Sequence, residues 1–159
     1  MKVFHGSSQQ IETPLIIEPN RALDFGPGFY TTLNETQASE FAKKVMDRLH
    51  SSQGFVNVYE VDIKSMRDNL NYLWFDEPNG EWLDYVSNNR NGIATETVDF
   101  SFGPVANDDV YRTFAAYQAG ILTRDETIAR LKIKPLYDQL TFKSKASLKY
   151  IHFIKAYTI

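Results

Sequence analysis

The chain has 159 residues, 43% hydrophobic and 23% charged, the balance of a single globular domain with a real core, which excludes disordered and fibrous classes. The absence of cysteine excludes disulfides, thiolate metal sites and a cysteine nucleophile, and a net charge of −3 argues against a strong nonspecific nucleic-acid binder. No apolar run approaches the roughly 20 residues of a membrane helix, and Met1-Lys2 leads straight into a strand-like segment rather than a signal peptide, so the expectation is a cytoplasmic protein with no membrane partner.

In chain order, aromatic and β-branched residues predict strands over Lys2 to His5 and Phe29 to Leu33. Asn34 followed by Gln37 opens a helix whose apolar positions Ala38, Phe41, Ala42, Val45 and Leu49 keep helical spacing, so that face is expected to pack inward. A strand follows over Phe55 to Ile63. After the Pro78-Asn79-Gly80 turn, Trp82, Tyr85 and Val86 predict a short helix, and Val98 to Phe102 a strand. Asn107, Asp108 and Asp109 open a helix that Gly120 stops, and Thr123 with Glu126 forms a second capping box. Strands over Gln139 to Lys143 and Ile151 to Thr158 close the chain. Strands and helices do not alternate as βαβ units, so the fold class is α+β, in one domain over residues 1–159.

Three features carry chemistry. His5-Gly6-Ser7, where the first strand ends, offers a ring nitrogen, an approachable backbone and a hydroxyl in succession, although such a tripeptide is also an ordinary turn. Leu23-Asp24-Phe25-Gly26-Pro27-Gly28-Phe29-Tyr30 sets two glycines and a proline before a strand. It is not a dinucleotide fingerprint, because the third glycine is missing and a strand follows instead of a helix. From Arg130 onward the chain carries seven Lys or Arg residues against Asp138 alone, read either as solvated positions or as a field for a phosphate-bearing ligand. His5, His50 and His152 lie far apart, so no metal is expected.

His5-Gly6-Ser7 followed by Phe25-Gly26-Pro27-Gly28-Phe29-Tyr30 resembles the first two motifs of the ADP-ribosyltransferase fold of the poly-ADP-ribose polymerase and diphtheria-toxin type. The stretch from Leu23 to Phe41, the segment Gly103-Pro104-Val105-Ala106-Asn107-Asp108, and Tyr137-Asp138-Gln139 through Lys149 resemble a bacterial family catalogued as domain of unknown function 3990. The resemblance implies a compact domain with a split, mixed or antiparallel β core and flanking helices, and NAD+ as substrate without a metal. It implies that His5 holds a hydroxyl of the adenosine ribose, that Gly6 presents backbone to the carboxamide with Ser7 in support, and that Tyr30 stacks on nicotinamide. Gly28 and Phe29 belong to the same motif. Phe41 falls where related enzymes have a second stacking tyrosine, and is read equally as a core residue. Asp24 is expected to brace its loop, and Arg21 is open between bracing and pyrophosphate binding.

The third motif departs from the polymerase pattern. Where those members have a glutamate opening a late strand, this chain reads Tyr137-Asp138-Gln139, with Gln139 in the catalytic position and Asp138 in reserve. Glutamine orients a hydroxyl but takes no proton, so single transfer or hydrolysis survives while chain elongation becomes doubtful. The implied function is mono-ADP-ribosyl transfer to a protein or nucleic-acid acceptor, as the toxic half of a toxin and antitoxin pair or as an effector. A noncatalytic NAD+ or ADP-ribose binding module, an NAD+ glycohydrolase, and an interaction protein with a dead pocket stand beside it.

Overall fold

The computed structural model describes residues 1–18, 23–93, 95–105, 108–133 and 136–159. The elements are β1 (Lys2–Ser7), β2 (Phe29–Thr32), α1 (Glu35–Leu49), β3 (Phe55–Val61), α2 (Ile63–Asn69), β4 (Tyr72–Trp74) and α3 (Gly80–Arg90). They continue as β5 (Phe100–Pro104), α4 (Asp108–Gln118), α5 (Arg124–Leu131), β6 (Asp138–Phe142), a 3-10 turn at Ser147–Tyr150, and β7 (Ile151–Thr158). The strands form one sheet in the order β4-β5-β6-β2-β1-β3-β7, antiparallel except where β4 pairs with β5. The α+β class holds, as a mixed seven-stranded sheet with five helices among the described residues.

Strand alternation divides the side chains between two faces. Val3, Phe29, Tyr59, Phe100, Leu140 and Phe142 form the core on one face, closed by Ile11 and Ile16 of the N-terminal loop and by Met66 of α2. The opposite face is covered in two parts. Helix α1 lies over Phe4, Val56 and Val58 through Ala38, while α3, α4 and α5 bring Trp82, Leu83, Phe114 and Leu131 together with Phe25 and Phe75. Tyr30 packs against this second cluster.

Local chemistry explains most element ends. Asn34 accepts from the Gln37 amide to start α1, but the Gln37 side chain turns to the Thr32 hydroxyl instead of closing the box. Thr123 and Glu126 do form the reciprocal box of α5. The expected cap at Asn107 lies outside the described residues. Two elements were not expected from sequence: α2, which Asp62 caps by accepting from Ser65 where the strand was expected to run on, and the three-residue strand β4. Gly103 and Pro104 are the end of β5, two residues beyond the strand expected over Val98 to Phe102, and Gly103 pairs with Gln139. The apolar stripe of α1 also differs from expectation. Ala38 and Ala42 are buried, whereas Phe41 is 42% and Leu49 60% exposed.

Candidate functional site

Strands β1 and β2 share a single registered pair, Phe4 with Thr32, whereas β1 pairs with β3 along its whole length. Beyond Phe4 the ladder toward β2 stops, and the His5 side chain bridges the interval: its Nδ1 lies 2.7 Å from the Tyr30 carbonyl oxygen. A carbonyl only accepts, so Nδ1 carries the proton and the neutral ring presents Nε2 as an acceptor. The ring packs against Phe29 at 4.6 Å between centroids. Burial lowers the His5 pKa and the bond to the Tyr30 carbonyl opposes it in part.

That shift has a stability consequence. A histidine with a depressed folded pKa leaves the unfolded chain binding more protons at mildly acid pH, so stability is fully present above about 6.5 and declines as pH falls toward the folded value. The unfolding free energy is expected to drop on acidification below about pH 6.5. Chemical denaturation across pH should show this component in the native chain and its loss in His5→Gln.

Tyr30 is tied at its far end as well. Its hydroxyl donates to the Gly26 carbonyl at 2.6 Å and accepts from the Phe25 amide at 3.1 Å, locking the segment before β2. It therefore has a structural task beside any ligand contact. The same segment is held by Asp24, whose Oδ1 accepts from Arg90 Nε at 2.8 Å and NH2 at 2.6 Å, in a largely buried ion pair. The bracing role expected of Asp24 is thus present. Lys143 Nζ donates to the Phe25 carbonyl, and burial pushes its pKa down to about 8.

Gly28 and Gly6 have packing reasons. A Cβ on Gly28 would stand 2.7 Å from both the Phe142 carbonyl oxygen and the Thr141 methyl, and one on Gly6 would meet the Ala38 carbonyl oxygen at 2.1 Å. The side of Gly6 that lacks a side chain thus faces α1. The Ser7 hydroxyl accepts from the Gln9 amide at 3.3 Å, inside the turn that follows β1. Arg21 lies outside the described residues.

Strand β6 places the third motif. Gln139 pairs with Thr32 on one side and Gly103 on the other, and Thr141 pairs with Tyr30 and Ser101. Alternation sets Tyr30, Gln139 and Thr141 on one face and Asp138 on the other. Gln139 is 6% exposed and its Nε2 has no hydrogen-bond partner among the described residues. Asp138 is partly buried, and its pKa is raised by that burial and by the charge of Asp76. The structure brings His5 to the Tyr30 main chain and sets Gln139 on the Tyr30 side-chain face. It does not put the His5 ring on that face, since His5 shares the face of Val3 and packs on Phe29. The exposure of Phe41 removes its core reading.

Asn57 was missed in sequence. It is fully buried opposite His5 on β3, donates from Nδ2 to the Gln9 carbonyl at 3.1 Å, and accepts from the Ile11 amide at 2.7 Å, so it fixes the loop behind the His5-Gly6-Ser7 segment. An asparagine between Val56 and Val58 in an apolar strand was the available signal. The basic stretch after Arg130 is spent piecemeal: Lys132 pairs with Glu77 at 3.0 Å, Lys143 is bound to Phe25, and Lys134 lies outside the described residues. Among the described residues no group of three or more His, Asp or Glu could hold a metal ion, and no helix is long and apolar enough to cross a membrane.

These features define a mixed α+β domain with a polar site where its sheet ladder is interrupted. The chain belongs to the family described as protein of unknown function DUF3990, whose model matches residues 1–153. No curated protein and no solved structure matches it.

Proposed function

We propose that this chain has an ADP-ribosyltransferase-like fold and is an NAD+-dependent mono-ADP-ribosyltransferase, breaking the bond between nicotinamide and ribose and passing ADP-ribose to a macromolecule. The observation that carries the reading is the His5 ring held to the Tyr30 main chain across the interrupted ladder, which links the first two motifs of the resemblance through the Tyr30 carbonyl, with the His5 ring and the Tyr30 ring on opposite faces of the sheet. The neutral ring keeps Nε2 as an acceptor suited to a ribose hydroxyl. Tyr30, whose hydroxyl is bound to Gly26 and whose ring packs beside the Phe25 cluster, is the residue that the resemblance sets against the flat nicotinamide ring. The buried amide of Gln139 donates to a hydroxyl of the nicotinamide ribose.

In this mechanism the C–N bond breaks with its electron pair leaving on neutral nicotinamide. Positive charge builds on the ribose, and the acceptor oxygen or nitrogen attacks C1′ and releases its proton. Orientation and charge stabilisation supply the rate, because Gln139 takes no proton. Water as acceptor turns the same step into NAD+ hydrolysis. The replacement of an acid by Gln139 also favours a second reading, a module that binds NAD+ or ADP-ribose without cleaving it. The acceptor in the first reading is a protein or a nucleic acid, and an antitoxin protein is the partner that the toxin reading proposes.

Gln139→Ala tests the assignment. Losing its bond to a ribose hydroxyl is expected to cost about 1 to 3 kcal/mol of transition-state stabilisation, roughly tenfold to a hundredfold in nicotinamide release. The fold should persist, since the amide Nε2 bonds to nothing in it. Asp138→Asn, on the other face, should change release less. Release abolished by the Asp138 change and untouched by the Gln139 change would move the third motif to Asp138.

A further inference from the structure

Across the sheet, two registered rows cross the site. One runs Tyr30, Thr141, Ser101 and the other Thr32, Gln139, Gly103. The outer polar members of both rows are satisfied: the Tyr30 hydroxyl by Gly26, Ser101 by the Tyr85 hydroxyl at 3.0 Å, and Thr32 by the Asp138 carbonyl at 3.2 Å. The two central members are not. Thr141 is 0% exposed and its Oγ1 has no partner among the described residues, and neither has Gln139 Nε2. Thr31, also buried on β2, bonds the Leu140 carbonyl at 2.8 Å, so burial of a threonine here does not itself prevent pairing.

An unpaired buried hydroxyl carries a desolvation cost that valine, equal in shape and well suited to a strand, would not bear. The two unpaired groups are adjacent on one face of one strand and differ from their neighbours in this respect. We infer that the Thr141 hydroxyl is a ligand contact, which together with the Gln139 amide binds a vicinal diol of the ribose class. Side chains two residues apart on a strand stand about 7 Å apart, a span that two neighbouring hydroxyls bridge with one hydrogen bond at each end. The amide donates to one oxygen, and the threonine donates to or accepts from the other.

The inference rests on the NAD+ reading and names the nicotinamide ribose as the diol. Its test is Thr141→Val in the full chain, compared with wild type by thermal unfolding without ligand and by calorimetric titration with NAD+. An NAD+ analogue lacking the nicotinamide-ribose 2′-hydroxyl is titrated in parallel. The variant is expected to unfold at the wild-type temperature or above, to bind NAD+ about tenfold more weakly, and to bind the analogue with a smaller loss. A lower unfolding temperature would assign the hydroxyl to the fold and overturn the inference. Undiminished NAD+ binding by the variant, with binding by wild type, would overturn the inference alone. No NAD+ binding by wild type would overturn the proposed function and the inference with it.

Discussion

Gly6→Ala is expected to destabilise the chain by about 3 kcal/mol or more, at the upper end of what overpacking costs. The added methyl would lie 2.1 Å from the Ala38 carbonyl oxygen and 2.7 Å from the Ala42 amide nitrogen. Both obstacles are main-chain atoms of α1, so no side-chain rotation relieves the clash, and the helix must lift from β1. For a domain of this size the unfolding midpoint should fall on the order of 6 to 12 °C. Ala38→Gly should not rescue it, because the obstructing oxygen remains. A midpoint within a degree of wild type would mean that α1 does not sit on Gly6.

His5→Ala is expected to lower nicotinamide release by about a hundredfold, as two hydrogen bonds worth roughly 1 to 1.5 kcal/mol each are lost together. One is the Nε2 contact proposed to a ribose hydroxyl. The other is the Nδ1 link to the Tyr30 carbonyl, which fixes the distance across the interrupted ladder. His5→Phe keeps the packing on Phe29 and drops both nitrogens, so it separates chemistry from fold. It should be as inactive as the alanine variant and remain folded, with its unfolding midpoint lower by only about 2 to 6 °C for the lost bond to the Tyr30 carbonyl. A folded and fully active phenylalanine variant would remove His5 from the site.

Elements with strong local signals were legible in the sequence. The β-branched strands, the caps at Asn34 and Thr123, and the helix after Pro78-Asn79-Gly80 all appear with small shifts of boundary. The α1 stripe was misread because spacing marks which apolar residues share a face but not how closely the helix approaches. Gly6, Ala38 and Ala42 let α1 press its backbone onto β1, which turns the larger Phe41 outward. The helix α2 and strand β4 are too short for periodicity to register. In the proposed site, His5, Tyr30 and Gln139 were singled out through motif order. Asp24 was expected to brace its loop, but the residues that complete the bracing were not found, because they are remote: Arg90 meets Asp24 across 66 positions and Lys143 meets Phe25 across 118. Nothing local to Lys143 distinguishes it from the neighbouring solvent-exposed Lys145.

The most direct measurement of the central claim is incubation of the purified chain with NAD+ labelled separately in nicotinamide and adenine, in chelator, with cell extract as the acceptor source. Released nicotinamide and label fixed to macromolecules are counted against the His5→Phe variant. The proposed function predicts nicotinamide release with adenine label transferred to protein or nucleic acid, both falling about a hundredfold in the variant. Intact NAD+ and no fixed label from the folded wild-type chain would contradict it.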